Sequence, residues 1–445
     1  MDLLFSQVTA VTMFDRLPVI YGAYVGVTDG KISYISQDPP AESADRVIDG
    51  RGKVLMPGLI NCHCHIAMTP LRGWGDDNNL QDWLTDWIFP KEDLWDARAI
   101  RCATLLGLAE AIRFGTTSIT DMYMFPEEVC QCFAAVGLKG NIASSLQTWD
   151  EDYCFDEDEA AQALEQAYEA WNGYDNGRIR VEAGIHAEYT SNCRLWQSAA
   201  EFALDRNTGL MLHVAETKSE AEDCLEVYGL TQAELLDQYA VWAPRTLAVH
   251  SVWHSDEDLD LLARKQVTAV HCPASNLKLA SGIAPVRKML DKGINVALGT
   301  DGDSSSNTLD MFEAMRLAAF ISNGSTLDPT SLSAQQALQL ATLNGAKAQG
   351  REGECGAIAP GMDADLILLD FAQPHLIPCH NPVSNLVYAA SGRDVVMTMV
   401  RGRILYENGT YTTIDLNAVL QEFRDYVLPK LFTPAEEEEE EAEHV

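Results

Sequence analysis

The hydrophobic pattern changes twice along the chain and divides it into a strand-rich start, a mixed middle and a strand-rich end. Short runs of alternating apolar and polar residues fill the first 56 positions, as in LLFSQVTAVTM and AYVGVTDGKISYIS, with turn residues between them. The same alternation returns after residue 351, in ADLILLD and VVMTMVRGRILYENGTY. We therefore predict one small β-sandwich domain built from both chain ends, residues 1–56 and 351–432.

Between residues 57 and 350 the pattern alternates short β-branched runs with longer amphipathic segments. Helical periodicity is evident in DARAIRCATLLGLAEAIRFG and in KSEAEDCLEVYGLTQAELLDQY. The strand-like runs are GLINC, TSITDM, GNIASSL, IRVEAGI, LMLHV, TLAVH, VTAVH and NVALGT. Eight such runs alternating with helices predict an α/β fold, a TIM-like (β/α)₈ barrel of parallel strands.

Barrels of this kind carry their active sites at the carboxyl ends of the strands, so chemically active side chains should gather there. The polar residues at the ends of the predicted runs are His63 and His65, then His186, His213 with Glu216, His250, His271 and Asp301. A single histidine at a strand end is more often structural than functional. The chain has ten histidines, however, and most of those in the barrel fall at strand ends, which favours a shared site.

His63 and His65 can bind one ion together, because residues i and i+2 of a strand share a face. The cysteines that alternate with them should turn to the other side and pack. With His213 and Asp301 the two histidines form a set of three nitrogens and one oxygen, which suits one divalent metal ion per subunit. Zn²⁺ is the first candidate, and Fe²⁺ or Mn²⁺ are alternatives. Water bound to such an ion has its pKa lowered toward about 7 and becomes a nucleophile.

Glu216 supplies the acid and base that such chemistry requires. It lies three residues beyond His213 in HVAET, where its side chain can lean over the same barrel mouth. The alternative interpretation is a surface glutamate that opens the next helix.

Composition and net charge indicate the cellular compartment and exclude some classes of binding partner. A formal net charge of -35 opposes binding to nucleic acid or to an anionic membrane, and no apolar run reaches the roughly 18 residues of a spanning helix. The acidic end, residues 433–445, should be a disordered tail. Eleven cysteines without a spaced framework indicate a reducing, cytoplasmic compartment, and Cys130 and Cys132 lack the second pair that a zinc knuckle needs.

The chain resembles the amidohydrolase superfamily, and within it the mononuclear nucleobase and nucleoside deaminases. The resemblance extends over nearly the whole chain, through VLMPGLINCHCH, LRGWGDD, GIHAEYTSN, LMLHVAET, LAVHSVW, HCPASNLKLASGIAPV, GTDGDSSSNTLDMFEAMR and GAIAPGMDADLILLD. Two-metal relatives usually bridge their ions with a modified lysine on the fourth strand, and RIRVEAGIHAEYT contains none. The resemblance therefore implies the one-metal subtype, and a homo-oligomer in solution.

The resemblance also implies a role for each site residue. His63, His65, His213 and Asp301 would hold the metal, and Glu216 would carry a proton to a ring nitrogen. His250 would orient the attacking hydroxide, while Asp301 would take its proton and pass it to the departing ammonia.

The chain looks most similar to the 5'-methylthioadenosine/S-adenosylhomocysteine deaminases, through LRGWGDDNNLQDWLTDWIFPKED and GIHAEYT. That resemblance implies that Glu92 binds the ribose hydroxyls and that His186 contacts the nucleoside. The arginines that hold the homocysteine carboxylate in such enzymes are missing from NIASSLQTWDEDYCFDEDEAAQALE. We therefore expect a small-molecule nucleoside with a neutral 5' group, 5'-methylthioadenosine, adenosine or 5'-deoxyadenosine, rather than S-adenosylhomocysteine.

Other functions stay open from the sequence. A related mononuclear deaminase or chlorohydrolase would act on guanine, cytosine, an oxidised purine or a triazine, and would have no ribose for Glu92 to bind. A scaffold that has lost its chemistry would typically lack ligands, and here every expected ligand is present. The tryptophans Trp74, Trp83, Trp87 and Trp149 could pack on a substrate or simply fill the core.

Overall fold

The computed structural model describes residues 1–14 and 18–433 of the chain, so the predicted disordered tail lies almost wholly outside the described residues. The chain begins with five strands. These are β1 (Leu3–Val11), β2 (Val19–Thr28), β3 (Lys31–Ser36), β4 (Arg46–Asp49) and β5 (Lys53–Pro57). β1 pairs antiparallel with β2 and parallel with β4 and β5.

Eight parallel strands then form the central barrel. They are β6 (Leu59–Cys64), β7 (Thr116–Tyr123), β8 (Lys139–Ser144), β9 (Ile179–Ala187), β10 (Gly209–Val214), β11 (Arg245–His250), β12 (Thr268–His271) and β13 (Asn295–Leu298). They pair in chain order from β6 to β13, and the Asp301 amide donates to the His63 carbonyl across the remaining gap at 3.1 Å. Each predicted run lies in one of these strands, so the predicted (β/α)₈ barrel is confirmed.

Four late strands complete the first sheet: β14 (Leu366–Asp370), β15 (Val395–Val400), β16 (Arg403–Glu407) and β17 (Thr410–Tyr411). β14 pairs antiparallel with β5, and this joins the two chain ends in one mixed nine-stranded sheet. The sheet has its own apolar core, to which Phe5, Val25, Leu55 and Leu368 belong. The prediction that one small β domain is assembled from both termini is therefore confirmed.

Helices cover the outside of the barrel and link the strands. They are α1 (Leu80–Asp82), α2 (Phe89–Glu92), α3 (Ala97–Arg113), α4 (Pro126–Val136), α5 (Glu159–Trp171), α6 (Tyr174–Gly177), α7 (Cys193–Asp205), α8 (Lys218–Tyr228), α9 (Gln232–Gln238), α10 (Asp256–Arg264), α11 (Pro273–Lys278), α12 (Val286–Asp291), α13 (Asp303–Ser306), α14 (Met311–Thr326), α15 (Ala334–Leu340), α16 (Leu343–Ala348), α17 (Pro382–Tyr388), α18 (Leu416–Glu422) and α19 (Leu428–Phe432). Among the described residues, none of these helices is long and apolar enough to cross a membrane.

One helical pattern in the sequence corresponds to two helices. The segment from residue 218 to 239 breaks where Gly229 takes a left-handed φ of 69° and ends α8, and the Thr231 side chain then caps α9. The break matters for the site, because it brings Gln232 back toward the end of β10.

A buried ion cluster joins the barrel to the β domain at the end opposite the barrel mouth. Lys139, at the start of β8, is fully buried, with its Nζ 2.7 Å from Asp363 and 2.5 Å from Asp365. Arg401 and Lys31 also bind Asp363. Because a buried charge is costly without a partner, this cluster fixes how the two parts of the chain meet.

Candidate active site

Three histidines and one aspartate converge at the carboxyl ends of the barrel strands. The Nε2 atoms of His63 and His65 lie 3.1 and 3.2 Å from Oδ1 of Asp301, and Nε2 of His213 lies 3.2 Å from Nε2 of His63. Ligands about 2.0–2.1 Å from a tetrahedral ion are separated by about 3.3 Å, which matches these distances. The arrangement fits a single small cation.

The second nitrogens of His63 and His65 each have a partner that fixes the ring. Nδ1 of His65 donates to the Met122 carbonyl at 2.5 Å, which leaves Nε2 free to bind an ion. Nδ1 of His63 lies 3.4 Å from the Met211 sulfur, on the strand that also carries His213. Oδ2 of Asp301 accepts from the Ser305 hydroxyl at 2.9 Å, so its Oδ1 stays directed at the histidines.

The electrostatics of this group also suit a cation. Burial lowers the pKa of His63 to about 4 and holds the pKa of His213 well below its usual value, so both rings keep a nitrogen lone pair at neutral pH. Burial opposes ionisation of Asp301, but its hydrogen bonds to His63 and His65 outweigh burial and lower its pKa well below the usual range. Burial opposes protonation of His65, but its hydrogen bond to Asp301 raises its pKa to about 9, so this ring must release a proton before its Nε2 can bind an ion. Neutral imidazoles beside an ionised carboxylate are then the donor set of a metal ion.

Glu216 and His250 face the same space. Glu216 is 4% exposed, its Oε1 accepts from the Ser281 hydroxyl at 3.3 Å, and its Oε2 lies 3.4 Å from His250 Nε2. His250 is oriented in turn by Asn276, whose Oδ1 accepts from its Nδ1 at 2.8 Å. Burial, and then the charge of Asp301, raise the pKa of Glu216 well above its usual value. A glutamate held in this way can keep and deliver a proton near neutral pH.

Left-handed backbone turns place these side chains. Ala215, His250, Ser251 and Asp301 all have positive φ, of 50°, 67°, 49° and 63°. Side-chain-bearing residues adopt such angles only at an energetic cost, and strained residues cluster at functional sites. At Ala215 the turn lets both His213 and Glu216 reach the barrel mouth.

A cavity of about 490 Å³ opens above the cluster. All the residues assigned to the metal, the reaction or the substrate line it except His63, which is fully buried. Glu92, in α2, accepts from the Tyr123 hydroxyl at 2.7 Å, and burial raises its pKa. His186 presents its ring to the cavity, and its Nδ1 lies 2.8 Å from the Thr190 hydroxyl.

The segment after β6 covers one side of this cavity. It includes a π-helical turn, Trp83–Ile88, a type of irregularity that often accompanies functional sites. Trp83 and Trp149 line the cavity, whereas Trp74 and Trp87 pack on each other outside it, with ring centroids 5.4 Å apart. Of the four tryptophans, two therefore face the cavity and two pack in the cover.

The structure brings together His63, His65, His186, His213, Glu216, His250, Asp301 and Glu92. His271 is separate: it is buried at the end of β12 and does not line the cavity. Sequence reasoning missed the groups that hold these residues, among them Tyr123, Asn276, Ser281 and Ser305. The role of Glu220 in holding the backbone before α8 could have been predicted, because Thr217 and Glu220 have the T-x-x-E spacing of a capping box.

Comparison with known proteins places the chain among deaminases. The model of the amidohydrolase family matches residues 54–405. A 5-methylthioadenosine/S-adenosylhomocysteine deaminase from Acetivibrio thermocellus is 42% identical over 93% of this chain and 96% of its own length. A 5'-deoxyadenosine deaminase from Methanosarcina mazei is 42% identical over 95% of this chain and 96% of its own. The crystal structure of a zinc-bound adenosine deaminase from Xanthomonas campestris is 30% identical, with a TM-score of 0.90 over 96% of this chain and 98% of the other.

Proposed function

This chain belongs to the amidohydrolase family, and we propose that it hydrolyses the C6 amino group of an adenine nucleoside to give the inosine analogue and ammonia. The observation that carries the proposal is the cluster of His63, His65, His213 and Asp301, with Glu216 facing the same cavity. The deaminase relatives named above support the same reaction.

His63, His65, His213 and Asp301 would hold one divalent metal ion, with zinc the first candidate and Fe²⁺ or Mn²⁺ the alternatives. Such an ion, when bound, lowers the pKa of a water molecule toward about 7 and so supplies a nucleophile at neutral pH. The absence of lysine from β9, IRVEAGIHA, supports a one-metal site, because the bridging residue of two-metal relatives would be a lysine there.

Side chains of the protein carry out the proton transfers. Glu216 delivers a proton to ring nitrogen N1 as the oxygen of water attacks C6, and Ser281 and His250 hold its carboxyl in place. Asp301 takes a proton from the water and passes it to the amino group. The C6–O bond forms and the C6–N bond breaks. Ammonia leaves with one proton of the water, and the other, released as the C6 hydroxyl becomes the carbonyl, restores the proton of Glu216.

The shape and chemistry of the cavity support a nucleoside. Its volume of about 490 Å³ lies in the range of small-ligand sites, and Glu92 offers a carboxylate that can accept from two vicinal ribose hydroxyls. His186, whose side chain also lines the cavity, contacts the nucleoside as well. The 5' group is neutral in the substrates that we favour, 5'-methylthioadenosine, adenosine and 5'-deoxyadenosine.

Ultraviolet absorbance tests the proposal without a coupling enzyme, because converting adenine to hypoxanthine shifts the spectrum. The zinc-loaded protein should convert adenosine, 5'-deoxyadenosine and 5'-methylthioadenosine, and S-adenosylhomocysteine more slowly. Guanine and cytosine serve as controls. If the protein turned over one of these bases and none of the adenosines, the assignment of the metal site would still hold, but the assignment of a nucleoside substrate would be wrong.

Two further aspects of the proposal concern the protein in the cell. All eleven cysteines are free, which supports a reducing, cytoplasmic location, and the family resemblance supports a homo-oligomer. Light scattering coupled to size-exclusion chromatography tests the oligomer, since a mass near 49.0 kDa would show a monomer.

A further inference from the structure

The charged side chains that line the cavity away from the histidine cluster are acidic. Four carboxylates line it, those of Glu92, Asp93, Glu216 and Asp301, and among the described lining residues none is lysine or arginine. The loop after β8 adds further acidic residues beside the opening, in WDEDYCFDEDE. Apart from the buried cluster that would hold the metal ion, a ligand group near the mouth therefore meets carboxylates that no lysine or arginine of the described lining residues offsets.

The basic side chains close to the mouth are bound elsewhere. Lys91 donates to the Leu431 carbonyl at 2.7 Å, Lys278 pairs with Asp76 at 2.7 Å, and Arg194 pairs with Asp152 at 3.3 Å. None of these three residues lines the cavity. An anionic substituent on a ligand would have to break an existing contact to gain a cationic partner.

Asp93 is the carboxylate in the wall that is free to bind. It is exposed, and no ion pair within 4.0 Å joins it to another described residue, whereas Asp301 is held by histidines and Glu92 by Tyr123. Asp93 follows Glu92 directly in the chain. Trp149, with 71% of its surface exposed, also lines the cavity and presents an aromatic ring, whose face attracts cations.

The proposed function fixes the orientation of the ligand. The adenine lies toward the buried histidine cluster, Glu92 holds the 2' and 3' hydroxyls, and the 5' carbon leaves the same ribose ring toward the exposed side of the cavity. Asp93 follows Glu92 in the chain, lines the cavity and is exposed, so the 5' substituent is the part of the nucleoside that we place beside this carboxylate.

We propose, resting on the deaminase function above, that the cavity selects for charge at the 5' position and prefers adenosines with a cationic 5' group, with Asp93 as the specificity-determining residue. Neutral 5' groups are accepted, and anionic ones are discriminated against. The ring face of Trp149 adds to the attraction.

Three nucleosides of similar size test the inference: 5'-amino-5'-deoxyadenosine, adenosine and adenosine 5'-carboxylic acid, which are cationic, neutral and anionic at about pH 6.5. We expect kcat/KM to fall in that order at low salt, by about fivefold for each unit of charge, and the differences to shrink at high salt. No advantage of the amine over adenosine would overturn the proposal.

The variant Asp93→Asn keeps the shape of the side chain and removes its charge. It should lower kcat/KM for the amine about threefold more than for adenosine. Glu151→Gln is the matched control, because Glu151 is exposed beside the mouth and does not line the cavity; it should leave the ratio unchanged. Equal effects of the two variants would refute the role of Asp93.

The two proposals fail in different ways. Turnover of adenosine without a preference for 5' charge would overturn the charge selection and leave the deaminase function intact. If zinc-loaded protein turned over none of the three nucleosides, the deaminase function would be wrong, and the inference that rests on it would fall too.

Discussion

The loop that carries Glu216 is held by the buried side chains of Gln232 and Glu220. Replacing one carboxylate oxygen of Glu220 by an NH₂ group should slow the reaction. The amide of Ala215 donates to Gln232 Oε1 at 2.9 Å, and the amides of Glu216 and Thr217 donate to Glu220 Oε2 at 3.0 and 3.2 Å. Gln232 Nε2 donates to Glu220 Oε1 at 2.8 Å and ties the two together. These contacts stabilise the left-handed turn at Ala215, which aims Glu216 at the cavity.

In Glu220→Gln the side chain keeps its shape, but one accepting oxygen becomes a donating NH₂ group. That group must face either Gln232 Nε2 or the two backbone amides, so at least one buried donor loses its acceptor. Leaving a buried donor unsatisfied costs about 1–3 kcal/mol. If the loop relieves this cost by moving Glu216, kcat should fall between about fivefold and about a hundredfold.

Steady-state kinetics with adenosine, metal analysis and thermal unfolding together measure this effect. A positioning role predicts a loss in kcat larger than the change in KM, with metal content unchanged. Glu234→Gln is the matched control, because Glu234 closes the same kind of capping box at Thr231 but does not contact the Glu216 loop. The reasoning is refuted if Glu220→Gln keeps the kcat of the unaltered protein, or if both variants lose it equally.

The double variant Glu220→Gln with Gln232→Glu provides a rescue. The new glutamate accepts from the Ala215 amide and from the new glutamine, whose oxygen accepts from the two following amides. Gln232 also donates to Glu188 at 3.2 Å, and burial raises the pKa of Glu188 to about 7. Protonated Glu188 can donate to a glutamate at 232, so kcat should recover best below about pH 7 and worse above it. A double variant no better than Glu220→Gln at any pH would contradict the network.

Three other substitutions have expected outcomes. Glu216→Gln should keep the metal and lower kcat by at least about a hundredfold, measured by metal analysis and absorbance; full activity would remove Glu216 from the reaction. Glu92→Ala should raise KM for adenosine while a free base is unaffected, and an unaltered KM would exclude ribose binding there. Lys139→Met should lower the free energy of unfolding by about 3 kcal/mol in urea titrations, since it leaves Asp363 and its neighbour short of a buried cation. Despite burial, Lys139 keeps the pKa of Asp363 below its usual value. The stabilisation by this ion pair is therefore present above about pH 4 and is lost as the pH falls. In acid, the stability of the variant should approach that of the unaltered protein.

The barrel and its polar strand ends could be predicted because both leave local signals. A buried parallel strand is a short run of β-branched residues, and eight runs between amphipathic segments allow few other folds. Once the fold is known, His63, His213 and Asp301 must meet at one mouth even though they are far apart in the chain. The same logic located the β domain, because its alternating pattern occurs at both ends.

The side chains that hold the site residues in place could not be predicted, because they act through contacts between distant segments of the chain. Asn276 reaches His250 and Ser281 reaches Glu216 only through the path of the chain after β12. Tyr123 meets Glu92 because the cover over the barrel mouth folds back above β7. The left-handed φ of Ala215 has no sequence signature at all, since alanine rarely adopts it.

Ammonia release from adenosine, measured against the amount of inosine formed with and without stoichiometric zinc, tests the central claim most directly. The account predicts one ammonia per inosine from the zinc-loaded protein, and loss of the activity on chelation with recovery when zinc is returned. Ammonia release that is independent of any divalent metal, or zinc-loaded protein that releases none, would contradict the assignment of the histidine and aspartate cluster as the centre of a metal-dependent deaminase.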